Sequence, residues 1–472
     1  MNWEGTYKPL SALLVTSVFP PEAAVGGHRS VGLCRYLARQ RWKVTVLTMT
    51  PPADAGVDRG LLHVVPKEIK VVRVACPDIV GTASGVFQRV VFWRPRKGRH
   101  ASSATPPVPT EAPPLGSGGL EHIVDWLSWW LQLPDARTGW VVPAVRAGLR
   151  EARRYRPDII FSTAPVWTAH LVGLILSYWL RVPWVADFRD PWCDSAFREI
   201  PYASHRRVNG LLEGLTISHA TGITCATDGI RRQLAARYPA KASAMRTVLN
   251  GFDPEALDGV PPVRLDGSRC VCLHAGSFYG PRSPAPLFQA LGKLRRTTPD
   301  VAARLQVALV GNPTYGHQTV DRLAADYGLD EVVRVMPHVS HGQAIGLLKG
   351  ADVALLFGQG GDAAFRPLTA KVYEYIGVGK PILAIGAGDE ALEVMRRGGC
   401  KVWAVSEDDP QGLAAALEDI LAHHARGHLR SGENATARLA FTRSRMAEEL
   451  ASTMDLAMAK WASCKQGPGR CR

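Results

Sequence analysis

The sequence has no CxxC pair, and its nine cysteines are scattered and odd in number. This pattern indicates neither a disulfide framework nor a zinc site, and Cys270 and Cys272, at strand spacing, are predicted to be small core residues. Long apolar runs are also lacking, since the best one, 171–180, is shorter than the ~18 residues that span a bilayer and predicts a buried helix. The N-terminus, MNWEGTYKPL, lacks the basic start and apolar core of a signal peptide, so we expect a cytoplasmic protein.

Nucleic-acid-binding motifs are missing too, although the chain is strongly basic, with a net charge of +14. Such a charge calls for an anionic partner, which is a nucleic acid, the phosphates of a nucleotide or an acidic membrane face. Without a recognition helix, a zinc finger or an RNA-binding sheet motif, we do not expect nucleic acid to be that partner. A chain of 472 residues exceeds one ordinary core and fits two domains of about 200 residues each.

Strands and helices alternate in both halves of the chain. An apolar strand at 13–18 runs into a loop with Gly26 and Gly27, followed by a helix at 30–40 and a strand at 44–47. This βαβ unit has a candidate phosphate-binding loop, although it lacks the GxGxxG fingerprint and paired glycines also make simple turns. In the second half, VCLHAGSFYGPRSP repeats the strand and glycine loop before a helix. The alternation predicts an α/β fold of two doubly wound parallel, Rossmann-like sheets facing a cleft.

Composition suggests the domain boundaries. Residues 1–250 are predicted to form the first domain, with 94–119, rich in Pro, Ser, Thr, Gly and basic residues, as a flexible insertion. After a Pro-rich linker, 265–440 forms the second domain. A helix at 441–461 is predicted to return to the first domain, and 462–472 is a flexible basic tail.

A tryptophan-rich segment, HIVDWLSWWLQL at 122–133, follows the insertion. Only Asp125, Ser128 and Gln132 are clearly polar in its middle, in a narrow stripe at helical spacing. A helix this apolar either packs inside its domain or rests on a membrane surface, where tryptophan suits the interface. The long insertion beside it favours a peripheral acceptor site, and both alternatives stay open.

The segment RPLTAKVYEYIGVGKP, 366–381, predicts a helix whose first turn meets an anion. Thr369 is the expected N-cap, and Gly377 and Gly379 are expected to end the helix. The spacing of the apolar residues puts Ala370, Lys371 and Glu374 on the opposite face. Free N–H groups followed by a carboxylate one turn later suit a nucleotide diphosphate and its ribose hydroxyls, although an ordinary surface helix would also explain the carboxylate.

In combination, these motifs resemble glycosyltransferase family 4, retaining enzymes of the GT-B fold that take sugars from nucleotide diphosphate donors. The resemblance covers nearly the whole chain except the insertion and the tail. It rests on the paired glycines after the first strand, ADFRDPW, NGFD, GSFYGPR and KVYEYIGVGKP, in the family's order.

The resemblance implies a donor site with two departures from the family pattern. The family's diphosphate loop has a glycine, an arginine and, five positions later, a lysine. Here these are Gly276, Ser277 and Arg282, so the first cation is lost and the second is an arginine, which binds phosphate well. Of the family's two glutamates separated by seven residues, the second is Glu374 and the first is replaced by Arg366. This replacement leaves open which sugar is used.

The family's functional residues carry over to loops at the ends of several strands. The implied donor contacts are Gly26, Gly27, Gly276, Ser277, Arg282, His338, Val339, Thr369, Ala370 and Glu374. The implied acceptor-side residues are His28, His170, Asp187, Arg189 and Asp190. Arg282 and Glu374 are the expected catalytic residues, and Asp362 is a candidate substitute for the missing glutamate. A purely structural pairing of Arg189 with Asp187 or Asp190 is an equally good interpretation.

The predicted function is transfer of a sugar from a UDP or GDP sugar to a lipid-linked or polysaccharide acceptor, with retention of configuration. The implied partners are the nucleotide sugar, the acceptor and an anionic membrane surface at the inner face. The sequence contains no Asp-x-Asp motif, so we expect neither a metal nor another cofactor. Two alternatives remain, a nucleotide-sugar epimerase of the same architecture and a non-catalytic nucleotide-sugar binding module.

Overall fold

The computed structural model divides the chain into two units, unit 1 with 1–248 and 447–472, and unit 2 with 249–446. Asp362, Arg366 and the whole of the predicted insertion at 94–119 lie outside the described residues. The described residues are 9–22, 26–52, 57, 59–79, 126–194, 200–278, 282–316, 318–358, 368–429 and 435–466.

Unit 1 contains a seven-stranded parallel sheet in the order β3-β2-β1-β4-β5-β6-β7. Its strands are β1 Ser11–Thr16, β2 Lys43–Met49, β3 Lys70–Val74, β4 Ile159–Ala164, β5 Trp184–Phe188, β6 Gly222–Cys225 and β7 Met245–Thr247. The central strands β1, β4, β5 and β6 are buried along their whole length. This explains why they appear in the sequence as short continuous apolar runs rather than as alternating ones.

The helices of unit 1 pack against this sheet through small residues. On the helix Thr168–Leu180 (α3), a Cβ at Gly173 would lie 2.8 Å from Trp184 Nε1, so the helix lies close over β4 and β5. On β6, a Cβ at Gly222 would lie 3.5 Å from Thr453 Cγ2, so the last helix of the chain covers that strand. The helices are α1 Gly27–Arg39, α2 Val141–Arg154, α3 Thr168–Leu180, α4 Ala203–His219 and α5 Asp228–Arg237.

Unit 2 contains a six-stranded parallel sheet in the order β12-β9-β8-β13-β14-β15, with a small β10-β11 ribbon. Alternate residues of β8 belong to two separate cores, Cys270 and Cys272 to one and Val271 and Leu273 to the other. The sheet is therefore covered on both faces. The strands are β8 Cys270–Ala275, β9 Leu305–Val310, β10 Thr314–Tyr315, β11 Gln318–Thr319, β12 Val333–Met336, β13 Val353–Phe357, β14 Ile382–Ile385 and β15 Val402–Val405.

The helices of unit 2 alternate with these strands. They are α6 Pro254–Asp258, α7 Ala285–Thr297, α8 Pro299–Ala302, α9 Val320–Asp326, α10 His341–Gly350, α11 Ala370–Val378, α12 Asp389–Arg397, α13 Pro410–Ala425 and α14 Ala435–Leu439. The final helix, α15 Arg443–Gln466, begins in unit 2 and continues into unit 1. Two parallel α/β units confirm the predicted fold class. Among the described helices, none combines the length and the apolar character needed to cross a membrane.

Several predicted boundaries were wrong. The helix α11 continues through Gly377 and ends at Gly379, which has a φ of 70°. A Cβ at Gly377 would lie 2.6 Å from the Phe252 ring, so a larger residue would not fit there. This glycine therefore allows close packing and does not end the helix. The start of the predicted tail is also wrong, since α15 remains helical as far as Gln466.

Candidate functional site

Two glycine turns follow adjacent strands of unit 2 at the carboxyl edge of the sheet. Gly276 follows β8 and Gly311 follows β9, with φ values of 151° and 156° that side chains rarely adopt. The Gly276 N–H donates to the Val310 carbonyl at 2.6 Å, and a Cβ on Gly311 would lie 2.7 Å from the Gly276 carbonyl oxygen. The two glycine turns therefore pack against each other at the edge where ligands bind in parallel sheets.

Lys371, on the first turn of α11, reaches this glycine turn. A Cβ built on Gly276 would overlap the Lys371 ammonium, so the ammonium lies directly against the Gly276 backbone. Burial, and then the charge of Arg282, lower the pKa of Lys371 to about 8, while Glu374 acts in the opposite direction. An anion bound at this point would offset the repulsion between Lys371 and Arg282 and raise the pKa of Lys371. Lys371 was predicted to lie on the same face of this helix as Glu374, but no role was predicted for it.

Arg282 completes a cationic pair with Lys371. Its side chain is only 5% exposed, and it precedes α7. The neighbouring His274 is buried, and its pKa lies well below the usual range because of burial, then Lys371, then Arg282. His274 is consequently neutral, and the site carries the positive charge of the lysine and the arginine.

The helix α11 and His274 of β8 meet at one carbonyl of β13. The Tyr375 hydroxyl donates to the Leu355 carbonyl at 3.0 Å, and His274 Nδ1 donates to the same oxygen at 3.0 Å. Thr369 occupies the N-cap position, but its side chain makes no capping hydrogen bond, so its predicted capping role is wrong. Its Oγ1 is buried and has no hydrogen-bond partner among the described residues. The first turn thus faces the glycine loops without a side-chain cap.

Glu374 lies one turn after Lys371, next to residues of two other helices. Its Oε1 is 3.8 Å from Nδ1 of His341, the first residue of α10. Burial raises the pKa of Glu374, while His341, Arg443 and Lys371 oppose that shift in this order. His341 and Arg443 begin helices distant in sequence from Glu374, and no local pattern identifies them.

The other predicted donor residues lie on loops at the same edge of the sheet. The Ser277 hydroxyl accepts a hydrogen bond from the Asn312 N–H at 3.1 Å, so it joins the two glycine turns. His338 is exposed, and Val339 packs partly against the core, on the loop between β12 and α10. Ser340 caps α10 and fixes the end of that loop.

In unit 1, Arg189 holds the predicted glycine loop. Its guanidinium donates to three backbone carbonyls, those of Gly26 and Pro165 and, at 3.1 Å, that of Ala164. The structure thus favours the structural alternative for Arg189, but its hydrogen bonds go to the main chain, and Asp187 and Asp190 act on it through their charge. A Cβ at Gly26 would overlap this guanidinium, which explains the glycine. Gly27 begins α1, and His28 lies half-buried in its first turn.

Asp187 is an internal residue rather than an acceptor contact. Its carboxylate is fully buried and accepts hydrogen bonds from Arg29 Nε at 2.9 Å and Nη2 at 2.8 Å, Thr163 at 2.7 Å and Thr224 at 2.6 Å. Burial alone would raise the pKa of Asp187, but Arg29 and the two threonines lower it. Asp187 thus ties α1 to β5, and its partner Arg29 was missed from the sequence.

His170 and Asp190 differ in their surroundings. His170 is fully buried, its Nδ1 is 2.8 Å from Ser162 Oγ, and burial lowers its pKa to about 3. Its assignment to an acceptor surface is therefore replaced by a place in the core. Asp190 is half-buried after β5, and burial raises its pKa against the opposing charge of Arg189.

Comparison with known proteins gives two successive family matches. The model for Glycosyltransferase Family 4 matches residues 90–256, and that for Glycosyl transferases group 1 matches residues 269–423. The second match contains the glycine turns, Arg282, Lys371 and Glu374.

Curated relatives include D-inositol 3-phosphate glycosyltransferases of low identity. The relative from Catenulispora acidiphila, D-inositol 3-phosphate glycosyltransferase 1, is 27% identical over 232 residues, which is 45% of this chain and 52% of the relative. The relative from Nocardioides sp. is 25% identical over 292 residues, 56% of this chain and 62% of the relative. The chain thus spans between half and two thirds of the length of these relatives.

Among solved structures, Anabaena Alr3699/HepE in complex with UDP superposes with a TM-score of 0.60. It is 16% identical, and the match covers 94% of this chain and 99% of that chain. At this identity the likeness concerns the fold. The two parallel-sheet units and this structural likeness show a GT-B fold, and the two family matches, each to a different part of the chain, are to models of glycosyltransferases.

Proposed function

We propose that the chain transfers a sugar from a nucleoside diphosphate sugar, with UDP or GDP as the carrier, to an acceptor bound by unit 1. The observation that carries this proposal is the cationic pair, Lys371 and Arg282, at the glycine turns of unit 2. Complexes of Anabaena Alr3699/HepE with UDP and with UDP-glucose give it further support.

Lys371 takes the place of the cation that the diphosphate loop lacks at Ser277. Its ammonium lies on the Gly276 backbone, and its pKa is lowered by Arg282, so both cations act on the same small volume. A diphosphate placed there would relieve their repulsion and accept hydrogen bonds from the first-turn amides of α11 at Thr369 and Ala370. Gly26 and Gly27 remain proposed donor contacts, in the glycine loop of unit 1.

The chemical role of these cations is to stabilise the leaving group. When the bond between the sugar carbon and the diphosphate oxygen breaks, its electron pair stays on that oxygen, and negative charge grows there. Lys371, Arg282 and the helix N-terminus are aimed at this charge. The acceptor oxygen then bonds to the same face of the sugar carbon, and its proton passes to the leaving phosphate, which gives retention. The positive charge comes from side chains, so the proposal includes neither a metal nor another cofactor.

Glu374 is the proposed partner of the ribose hydroxyls. The charges of His341, Arg443 and Lys371 favour its ionised form against the effect of burial, and a carboxylate can accept hydrogen bonds from two neighbouring hydroxyls. His338 and Val339, on the loop before His341, are the proposed neighbours of the base. In the family pattern, the first glutamate lies near the donor sugar. Arg366 occupies this position here and lies outside the described residues.

Unit 1 is proposed to bind the acceptor through His28 and Asp190. Arg189 contributes by fixing the loop at Gly26 through main-chain hydrogen bonds. Asp187 supports the same region from the interior through Arg29.

A lipid-linked acceptor at an anionic inner membrane face is consistent with the surface of unit 1. Tyr178 and Trp179 on α3 and Leu211 on α4 are exposed, and the two helices pack against each other. Trp126 is also partly exposed, whereas the ring centroid of Trp130 lies 4.5 Å from that of His205. The described part of the tryptophan segment therefore has both a packed and an exposed tryptophan. Sedimentation with liposomes, with and without anionic lipid, tests the contact, and no binding to either refutes it.

The curated relatives favour a second acceptor class. Their names specify D-inositol 3-phosphate, a small phosphorylated cyclitol, as the acceptor. A strongly basic chain suits such an anion as well as it suits a lipid headgroup. Incubation with a UDP or GDP sugar and either acceptor class, followed by product analysis, separates the two possibilities.

The decisive experiment is a thermal-shift screen against UDP and GDP sugars with matched lysine variants. A ligand that binds only the folded chain raises its melting temperature. We expect one nucleotide class to stabilise the wild type and the control Lys293→Ala, whose lysine is exposed on α7, but not Lys371→Ala. Flat responses of the wild type to every nucleotide sugar would refute the proposed function.

A further inference from the structure

Three potential metal ligands converge at the amino edge of the sheet in unit 2, opposite the glycine turns. Cys270 is the first residue of β8, Asp352 immediately precedes β13, and His424 lies in the last turn of α13. One ligand atom of each lies within 4.8 Å of the others. Because β8 and β13 are neighbours in the sheet, the backbone fixes the separation of the first two residues.

The carboxylate of Asp352 is oriented toward His424. Its Oδ2 accepts the Val271 N–H at 2.9 Å and lies 3.7 Å from His424 Nε2. Its Oδ1 lies 3.6 Å from an Arg264 guanidinium nitrogen. The backbone amide and the arginine therefore fix the carboxylate from two sides, as supporting residues do around metal ligands.

The three side chains offer a mixed set of sulfur, nitrogen and oxygen donors. Zinc-class divalent ions bind this combination, whereas calcium and magnesium prefer oxygen ligands only. We propose that Cys270, Asp352 and His424 bind one divalent transition-metal ion of the zinc class. The thiol proton of Cys270 is released to solvent on binding, so that the thiolate and the carboxylate balance the charge of the ion.

Access and neighbouring charge are compatible with such an ion. Cys270 is fully buried, but His424 and Asp352 are half-buried, so the ion enters from the side of the imidazole and a water completes its coordination. The nearby cations are Arg264 and Lys380. Lys380 is turned to the Ala351 carbonyl, and burial lowers its pKa while Asp352 opposes that shift.

The proposed ion has a structural role. It joins β8, β13 and α13, which come from distant parts of the sequence, at the edge opposite the donor site. Removal of the ion is therefore expected to lower the melting temperature without removing the nucleotide response. This inference does not depend on the proposed function.

Cobalt titration of the chelator-treated full chain tests the site. Cobalt bound tetrahedrally through a thiolate gives visible d–d bands and a near-ultraviolet charge-transfer band, which report both geometry and sulfur ligation. We expect one equivalent of cobalt to bind with both features, a rise in melting temperature, and displacement of cobalt by zinc.

Variants locate the binding. Cys270→Ser and His424→Gln are expected to lose the thiolate band or weaken cobalt binding by more than about tenfold, a loss that even supporting residues can cause. His423→Gln is the matched control, since its neighbouring imidazole lies near Asp419 and Trp403 instead, and it should bind like the wild type. If Cys270→Ser fails to fold, the partly exposed His424 still decides the question. Wild-type protein without a thiolate band, or a His424→Gln variant that binds cobalt with the affinity and the spectrum of the wild type, overturns the proposal.

Discussion

The Lys371 ammonium lies against the backbone of Gly276, in space that any side chain at position 276 would occupy. The glycine has two reasons to be there, because its φ of 151° is also rarely adopted by other residues. This contact brings a positive charge from α11 to the turn after β8, where the family pattern has an arginine that this chain lacks. The proposed donor site is therefore assembled from two elements that are distant in the sequence.

Gly276→Ala should damage both the fold and nucleotide binding. The new Cβ displaces the Lys371 ammonium, and the strained backbone costs about 1–3 kcal/mol. We expect a loss of affinity for the nucleotide sugar on the order of tenfold or more, measured by calorimetry, with a lower melting temperature. Gly267→Ala is the control, because a Cβ at Gly267 meets nothing within 4 Å. Equal affinities in the two variants would exclude the contact as a binding determinant.

Nucleotide affinity should depend on pH through Lys371. Its pKa of about 8 in the free protein means that the ammonium is present below this pH and lost above it. A bound diphosphate raises that pKa, so affinity is constant below pH 8 and falls by up to about tenfold per pH unit above it. Calorimetry with an intact nucleotide sugar, whose diphosphate does not titrate in this range, measures the effect. Lys371→Arg should remove the decline, and a decline that persists in this variant would assign it to another group.

Lys371→Met should stabilise the free protein while it removes nucleotide binding. The folded-state pKa of Lys371 is lowered from 10.5 to about 8, so burial of its charge destabilises the fold at neutral pH. The unfolded chain binds more protons between these two values, and this contribution to stability rises with pH there. We expect the free energy of unfolding at pH 7 to increase by about 1–3 kcal/mol in urea denaturation. Loss of stability in this variant would show that the ammonium makes favourable contacts in the free protein.

The fold could be predicted from the sequence because strand and helix signals are local. The buried strands of both sheets and the helix at Glu374 follow from short apolar patterns. Partners across the sheet could not be predicted in this way. Arg29 lies 158 positions from Asp187, and the signals of each residue alone permit a surface role. His341 and the role of Lys371 were missed for the same reason, since only the packing of α10 and α11 brings these residues to the proposed donor site.

Replacement of Asp187 and of Asp190 by asparagine should have different effects on the free energy of unfolding. The pKa of Asp187 is lowered, so its charge stabilises the fold at neutral pH, and this contribution is lost as pH falls through the folded-state pKa. Asp187→Asn leaves Arg29 buried without its counterion and should cost about 3–5 kcal/mol. The pKa of Asp190 is raised, so Asp190→Asn removes an unfavourable charge and should leave stability at pH 7 unchanged or higher. Urea denaturation of both variants is the measurement, and equal destabilisation would contradict the assignment of the buried pair.

Glu374 should be coupled to the ribose hydroxyls of the donor. A hydrogen bond to a carboxylate contributes about 1.5–3 kcal/mol, so a 2′-deoxy or 3′-deoxy analogue should bind the wild type more weakly by roughly one to two orders of magnitude. In Glu374→Gln the natural nucleotide should bind more weakly, and the penalty for the deoxy analogue should shrink. Glu418→Gln, at an exposed position of α13, is the control and should retain the full penalty. A deoxy penalty that is the same in all three proteins would place the ribose away from Glu374, even if the diphosphate binds at Lys371 and Arg282.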